Sequence, residues 1–397
     1  MTVYYSTRIT RALLLSGCLA MALPGLARPE SPAAITPSDT HTTIIVPMQD
    51  ADYASLFARL DSQFNGGQGV LDDNTSGGLA WGQSYLMLSY VRQYKATGDI
   101  LWLDKLVKQF DRVRTQRDDR LGRVDVHAKV PLKGWGTASY DKAGWHAFVV
   151  HNGMICQGPA EFVRLVKETP ELQPMYSADA ARFLREIEEV VDDAATRYWK
   201  TVDGKPDEGY YYDPSMDPMP LNMVAAMASV DLELLAITGK PEYRDRATKF
   251  ATFFRNCLQE NEHGGWNWEY WPKASGQPVK VGEDISHAAL NVDFAARCCA
   301  AGIVFTKADM EKFATTWLKV VSKGEGQWAG HVDGTKDAGR AYKPQAHGRW
   351  LNIVPQLSPE TARLMIDDAK AAFAGEPMEF TSRGIGLTNI ALYDKKI

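Results

Sequence analysis

The sequence predicts an all-α fold in which helical hairpins close into an (α/α)n toroid, with long aromatic loops gathered at one end. Two features carry this prediction. Apolar residues recur at spacings of three and four along most of the chain, with charged residues on the opposite face, as in amphipathic helices. In addition, helix-breaking links and amide residues each recur about every seventy residues, which indicates a repeated structural unit.

The helical periodicity is clearest in segments such as SYLMLSYVRQY, WLDKLVKQFDRV, AARFLREIEEVVDDAATRYW and EYRDRATKFATFFRNCL. Strand signals are sparse between them. Segments of this length and spacing bury one stripe of the helix and leave the other stripe in water. We therefore expect helices to form the core.

The repeat consists of two interleaved series. Short links stand 72, 69 and 68 residues apart, at Thr97-Gly98-Asp99, Thr169-Pro170-Glu171, Thr238-Gly239-Lys240 and Thr306-Lys307-Ala308. Amides near helix starts follow in steps of 69, 70, 69 and 61, at Gln83, Asn152, Asn222, Asn291 and Asn352. Each hairpin would have an inner helix that bears the amide and an outer helix that follows the link. We expect six or seven hairpins; an open α-solenoid is the alternative, although long tryptophan-rich loops are unusual for it.

Residues 1–27 have the pattern of a secretory signal peptide, in which two arginines precede the apolar stretch ALLLSGCLAMALPGLA, and we place cleavage after Ala27. A lipoprotein cleavage box ending at Cys18 is the alternative, but the apolar run ahead of it is short. Residues 28–45, rich in Pro, Ser and Thr, are interpreted as a flexible linker, and residues 46–397 as a single α/α-barrel catalytic domain. No later stretch is long and apolar enough to span a bilayer. We expect a monomer that is periplasmic or secreted.

The composition excludes some classes of function. The formal net charge of −5 disfavours nucleic-acid binding, which is accompanied by a basic excess. Of the five cysteines, the four beyond the signal segment lack CxxC spacing, so we predict neither a metal site nor a redox centre. No organic cofactor is expected for the chemistry considered below.

Four loops that precede the inner helices concentrate Trp, Tyr, His, Asn and Arg. They span residues 134–153, 207–222, 264–291 and 336–352. Aromatic faces stack on sugar rings, because both combine an apolar face with hydrogen-bonding edges. Any one tryptophan could pack on the core, but six in these loops favour a carbohydrate cleft: Trp135, Trp145, Trp266, Trp268, Trp271 and Trp350.

The last of these loops is locally basic. Against one acid, Asp337, it carries Lys336, Arg340, Lys343 and Arg349, and it also contains Tyr342 and His347. Arginine binds a carboxylate through two parallel hydrogen bonds. In a chain of net negative charge, this loop is therefore where an acidic sugar would be held; a solvated run of charges is the alternative.

An acidic sugar favours β-elimination. Removing the C5 proton of a uronic acid builds charge on its carboxylate, so an enzyme must neutralise that group and supply a base at C5 and an acid at O4. Tyr342 is the best tyrosine for this work, because neighbouring cations lower a tyrosine pKa. His287, at the helix start in GEDISHAALNV, is its best partner, and Glu283 and Asp284 would orient it or cap the helix.

Other side chains are predicted to bind the substrate. Asn152 and Arg349 are the candidates for neutralising the uronate carboxylate. The candidates for further contacts are His151, Trp268, Tyr270, Glu283, Arg340, Lys343, His347 and Trp145. For His151, a hydrogen-bonded histidine of the core is an equal alternative.

The blocks WNWEYWP–EDISHA and AYKPQAHGRW resemble the α/α-barrel polysaccharide lyases, and in particular polysaccharide lyase family 38, whose members cleave glucuronan or alginate. The resemblance implies a seven-hairpin barrel and a catalytic tyrosine and histidine at Tyr342 and His287. The chain lacks the Asn-Asn-His triplet of other α/α lyases, which leaves Asn152 and Arg349 as competing neutralisers.

We therefore predict a lyase that cleaves an anionic polysaccharide, a polyuronate such as β-1,4-glucuronan or the polymannuronate of alginate. Two alternatives come from other classes. One is an α/α-toroid glycoside hydrolase or sugar epimerase; a hydrolase needs two carboxylates across the scissile bond, which Glu269 with Asp284 or Glu283 would supply. The other is a non-catalytic periplasmic sugar-binding protein.

Overall fold

The computed structural model describes residues 52–70, 73–272, 278–324, 327–336, 347–373 and 381–396, all within the unit Ile45–Ile397. Its helices, in chain order, are α1 (Tyr53–Gln63), α2 (Ser84–Thr97), α3 (Leu101–Arg114), α4 (Asp118–Leu121), α5 (Val149–Glu168), α6 (Gln173–Tyr198), α7 (Leu221–Thr238), α8 (Pro241–Cys257), α9 (Ile285–Ala300), α10 (Lys307–Thr315), α11 (347–350, continued by the 3₁₀ stretch Leu351–Gln356), α12 (Pro359–Phe373) and α13 (Arg383–Tyr393). Short π-helical stretches, Leu79–Gln83 and Thr316–Val321, precede α2 and follow α10.

Six of the described helices form a closed inner ring. Helices α2, α5, α7, α9, α11 and α13 each pack against the next, and α13 packs against α2. Outer helices α3, α6, α8, α10 and α12 lie against the inner helix that precedes them, and α1 lies against α13. The first and last helices thus form the sixth pair and close the barrel. The all-α toroid is confirmed, whereas the seven-hairpin barrel implied by the lyase resemblance is not what these residues form.

Burial separates the two helix layers. In the inner helix α7, every residue is buried except Met223, Ala236 and Thr238. Against the expectation from the sequence, this helix is by length and composition apolar enough to cross a membrane, but 83% of that stretch is buried inside the structure. The outer helix α3 is amphipathic instead, since it buries Trp102, Phe110 and their neighbours at spacings of three and four and exposes its charges.

The predicted links coincide with the turns between inner and outer helices. Gly98 and Gly239 end α2 and α7 with φ of 75° and 72°, a left-handed conformation that glycine adopts without steric cost. Thr306 starts α10 with a capping box closed by Asp309. These compact caps make the inner-to-outer connections short.

The connections from outer to inner helices are long, and three of them carry a two-stranded antiparallel hairpin. The pairs are β1 (Trp199–Val202) with β2 (Lys205–Tyr211), β3 (Gln259–Glu260) with β4 (Trp266–Asn267), and β5 (Ser322–Gly324) with β6 (Gln327–Trp328). They precede α7, α9 and α11 in turn. We call the end of the barrel where inner helices begin the loop end, and the opposite end, with the short links, the link end.

Candidate active site

At the loop end, His287 stands in the first turn of α9 with its side chain 44% exposed. Its Nδ1 contacts the carboxylate of Asp284, the residue that caps the helix by accepting from the backbone N–H groups of Ser286 and His287. Although burial opposes it, hydrogen bonding from His287 lowers the pKa of Asp284 to about 2. Asp284 therefore stays charged and engages the Nδ1 edge of an accessible imidazole.

Tyr270 completes this group, which we call the His287 cluster (Tyr270, Asp284 and His287). Its half-buried ring lies 5.1 Å from the His287 ring, tilted by 40°. The Tyr270 carbonyl accepts from the N–H of Leu221, so the loop that precedes α9 is tied to the start of α7. Trp271, next in sequence, is exposed. The cluster thus combines a histidine–carboxylate pair with aromatic surface on the rim of the ring.

A second group surrounds His151 in the first turn of α5. The rings of Trp81 and Tyr140 meet its imidazole edge-on at 5.3 and 5.5 Å, and Phe148 lies at 5.5 Å. His151 is buried, its Nδ1 has no hydrogen-bond partner among the described residues, and burial lowers its pKa to about 3. A neutral imidazole can hydrogen-bond a sugar hydroxyl but cannot neutralise a carboxylate.

Trp81 and Tyr140 form an aromatic wall that the sequence analysis did not identify. A Cβ at Gly77 would meet Tyr140 at 2.9 Å and Trp81 at 3.0 Å, so both rings pack against a position that has no room for a side chain. Tyr140 is 44% exposed and so presents a face to solvent. One signal was present: Trp81 precedes Gln83 by two residues, as Trp350 precedes Asn352, and the amide series therefore marked the position.

Behind these groups, a buried triad ties two loops together. His146 Nδ1 lies 2.7 Å from Asp125 Oδ2, and its Nε2 lies 3.0 Å from Asp213 Oδ2. Burial disfavours the imidazolium, but the hydrogen bonds and charges of the two aspartates prevail and raise the pKa of His146 to about 9. The triad joins the loop before α5 to the loop before α7.

Three of the five amides in the series brace the loops. Gln83 Oε1 accepts from the N–H of Val70 at 2.8 Å, and Asn152 Oδ1 accepts from the N–H of Trp135 at 2.9 Å. The Asn291 amide donates to Glu283 Oε2 at 2.6 Å. In each case a side chain at the start of the inner helix forms a hydrogen bond with the loop that leads into that helix. The structure thus engages the acceptor oxygen of Asn152 within its own chain, whereas donation from its Nδ2 to a substrate carboxylate stays a prediction.

Arg349, the other predicted neutraliser of the carboxylate, is engaged in contacts within the protein. It is only 3% exposed, and its Nη1 lies 2.5 Å from Asp293 Oδ2 and 2.8 Å from Gln157 Oε1. A buried guanidinium requires such a partner, because an unpaired charge in the interior is very costly. This arrangement does not support a direct contact between Arg349 and a substrate carboxylate.

Three predicted contact residues lie behind the surface. Trp268 is fully buried and donates from Nε1 to Glu283, whose own burial raises its pKa well above the usual range. His347 is buried between Trp317 and Trp328, at ring distances of 4.7 and 4.8 Å. These residues shape the wall of the barrel rather than line its opening.

Trp145 is half-buried, and the protein contacts both the edge and one face of its ring. Its Nε1 donates to Asp118 Oδ2 at 2.9 Å, and the Arg123 guanidinium lies 4.7 Å from its ring centre. Glu269, the carboxylate of the hydrolase alternative, accepts from the backbone N–H groups of Lys280 and Val281. Tyr342, Arg340 and Lys343 lie outside the described residues.

The sequence matches no protein-family model and no curated protein. Among solved structures, the GH76A alpha-1,6-mannanase from Salegentibacter sp. HEL1_6 has a TM-score of 0.52 at 14% identity, over 87% of this chain and 99% of that one. The unsaturated glucuronyl hydrolase from Bacillus sp. GL1 has a TM-score of 0.55 at 15% identity, over 86% and 94%. A sugar epimerase from a ruminal bacterium has a TM-score of 0.50 at 11% identity, over 79% and 87%.

At these identities the likeness is one of fold, and it supports the all-α barrel over nearly the whole described chain. The neighbours named here are two glycoside hydrolases and an epimerase. They match the alternative of the sequence analysis better than its main prediction. The resemblance to polysaccharide lyase family 38 is not shown by them and stays a prediction.

Proposed function

We propose that this protein is a carbohydrate-active enzyme whose loop end transfers a proton at a sugar carbon, with His287 as the base. The observation that carries the proposal is the His287 cluster. An accessible imidazole is held by a charged carboxylate and flanked by an aromatic ring, at the opening of a barrel that related folds use for carbohydrates. Proton transfer by a positioned histidine contributes about 10²- to 10⁴-fold to a rate.

The reaction we propose is β-elimination on a polyuronate. With Nδ1 engaged by Asp284, the other imidazole nitrogen is left to remove the C5 proton, which the adjacent carboxylate of a uronic acid makes acidic. A tyrosine would protonate the departing O4, and Tyr342 and Tyr270 are the candidates. We assign neutralisation of the substrate carboxylate to the basic loop of Lys336, Arg340 and Lys343, with Asn152 Nδ2 as a further donor, because Arg349 is engaged within the protein.

Epimerisation and hydrolysis are the second candidates, favoured by the names of the neighbouring structures. Hydrolysis fits the described carboxylates less well. Glu269 accepts two backbone N–H groups, Asp284 is engaged with His287, and Glu283 is buried. Epimerisation would use the same His287 to remove a proton, with no bond to oxygen broken. The predicted signal peptide supports the further proposal that the enzyme acts outside the cytoplasm on a polymer.

The deciding experiment follows ultraviolet absorbance with glucuronan, polymannuronate and polyguluronate, because elimination leaves an absorbing C4–C5 double bond. We expect absorbance to rise with the wild-type protein. In His287→Ala the rate of this increase should be about 10²- to 10⁴-fold lower. Asp284→Asn is the sharper variant, since asparagine still caps the helix but removes the charge beside His287. Its unfolding temperature should match wild type while its rate falls.

The same incubations in deuterated water separate the alternatives. Deuterium incorporation at a sugar carbon without absorbance would identify an epimerase, whereas reducing ends without absorbance or deuterium would identify a hydrolase. For hydrolysis, Glu269→Gln should abolish activity and His287→Ala should not. The converse result, loss with His287→Ala and retention with Glu269→Gln, is the one this proposal requires.

A further inference from the structure

The link end contains a cavity of about 520 Å³, within the usual range for small-molecule sites, roughly 300–1,000 Å³. All six inner helices contribute to it through their C-terminal halves, so it occupies the bore of the barrel. Five basic and four acidic side chains line it, which excludes an apolar ligand. Arg297 follows His287 by ten residues on α9, or about 15 Å along the helix, so this cavity is separate from the His287 cluster.

The floor of the cavity is a buried charge network that satisfies itself. Arg297 binds Asp293, Glu161 and Glu233 at 2.9, 2.5 and 2.7 Å. Arg92 binds Glu161 at 3.1 Å. These pairs fill the bore and compensate one another, as buried charges must. They explain the charges of the floor without a ligand.

The upper lining is not satisfied in this way. Lys95 and Arg244 are exposed and have no hydrogen bond or ion pair among the described residues, although both line the cavity. Tyr393 is half-buried, and its hydroxyl likewise has no hydrogen-bond partner among the described residues. Buried Glu233 pairs with Arg297 through Oε1, but its Oε2 has no hydrogen-bond partner among the described residues, and the nearest cation, the Arg164 guanidinium, lies 3.6 Å away.

Four groups of the upper lining, on helices α2, α8, α13 and α7, face one cavity. Lys95, Arg244 and the Tyr393 hydroxyl have no partner among the described residues, and Glu233 Oε2 has only the Arg164 guanidinium at 3.6 Å. Two are cations, which bind an anionic group, and two are a hydroxyl and a carboxyl oxygen, which bind hydroxyls. We propose that the link-end cavity is a second ligand site, for a monosaccharide- to disaccharide-sized sugar that carries one anionic group, a carboxylate or a phosphate.

The experiment is isothermal titration of the full-length protein with D-glucuronate, D-glucose 6-phosphate, D-glucose and inorganic phosphate. The test variant is Lys95→Gln/Arg244→Gln. Its matched control, Arg59→Gln/Lys108→Gln, removes two exposed cations from the outer helices α1 and α3, so the net charge changes equally. Tyr393→Phe removes one hydroxyl and leaves the cations in place.

We expect one of the two anionic sugars to bind wild type and the control with the same affinity, and at least about tenfold more weakly to the test variant. Tyr393→Phe should weaken binding about threefold or more, and glucose should not bind. The titration that succeeds, glucuronate or glucose 6-phosphate, identifies the anionic group. Equal binding to the test variant and the control would overturn the site, as would no binding to wild type. Inorganic phosphate binding as tightly as the phosphorylated sugar would overturn the sugar assignment.

Discussion

The interior of the barrel at the link end and the rim at the loop end differ in how their polar side chains are paired. At the link end, charges lie inside the bore, where Arg297 alone contacts three carboxylates and is 11% exposed. At the loop end, His287 is accessible, and its pairing with Asp284 leaves part of the imidazole free. Six helices that meet around an axis must fill its centre with long side chains, and charged ones can do so only as a network. The loop end has no such constraint and can leave groups unpaired for a substrate.

The largest expected effect comes from breaking the link-end network with Arg297→Met. The change leaves Glu161, Glu233 and Asp293 buried without their shared cation, and removing one partner of a buried ion pair costs about 3–5 kcal/mol. We expect urea denaturation at pH 7.5 to show this loss in the free energy of unfolding. The deficit should shrink toward pH 5, because protonation relieves buried carboxylates that have lost part of their compensating charge.

Arg363→Met is the matched control, because it removes an arginine whose partner lies outside the network. Its pair with Asp394 is partly exposed on both sides, 42% and 30%, and such surface pairs contribute about 0–1 kcal/mol. If both variants lost the same small amount of stability, the charges in the bore would not be the strong network described here. The two ends would then differ in position only.

The fold could be predicted because residues close together in the sequence determine where each helical hairpin begins and ends. The Gly98 and Gly239 caps, the Thr306 capping box and the apolar spacing of helices such as α3 all depend on neighbouring residues. The number of hairpins was not predictable, because α1 pairs with α13 across the whole chain. The bore network was invisible for the same reason, since its members stand on different helices far apart in sequence.

At the loop end, the stability contributed by the His146 triad depends on pH. The pKa of His146 is raised to about 9 by Asp125 and Asp213, so the triad contributes stability that is full below about pH 6.5 and lost as pH rises through 9. Between pH 7.5 and 9.5 we expect the free energy of unfolding to fall by roughly 2 kcal/mol, at about 1.4 kcal/mol per pKa unit. Denaturation of wild type and His146→Gln across this range measures it.

In His146→Gln this pH dependence should disappear, because glutamine does not titrate. Burial raises the pKa of Asp118 to about 7, so this carboxyl is mostly deprotonated before pH 7.5 is reached. Its titration should therefore add little to the change in unfolding free energy between pH 7.5 and 9.5. The same slope in the variant would show that another group titrates there. Activity should follow stability in wild type, since the triad ties together the loops that precede α5 and α7.

The site was only partly predictable from sequence. Asp284 and His287 are three residues apart, and the predicted roles of Asp284, orienting His287 or capping the helix, are both seen in the structure. The position of Tyr270 beside the His287 ring was not predicted. Arg349 and His347 looked like ligands because the loop is basic, but burial assigns them to Asp293 and to two tryptophans. Composition cannot distinguish a cation that faces a cleft from one that faces the core. Trp81 and Tyr140 meet from separate segments, which no local pattern shows.

The smallest expected effect tests whether that aromatic wall belongs to the site. Tyr140→Ala removes an exposed ring beside His151, and an aromatic stacking contact contributes about 0.5–1.5 kcal/mol. On the polymer that the absorbance assay identifies, we expect KM to rise about 3- to 10-fold with kcat nearly unchanged, and Tyr140→Phe to behave as wild type. If instead both variants lost kcat at constant KM, the hydroxyl of Tyr140 would take part in proton transfer. The reacting sugar would then sit at α5 rather than at α9, and the loop end would have its chemistry beside His151.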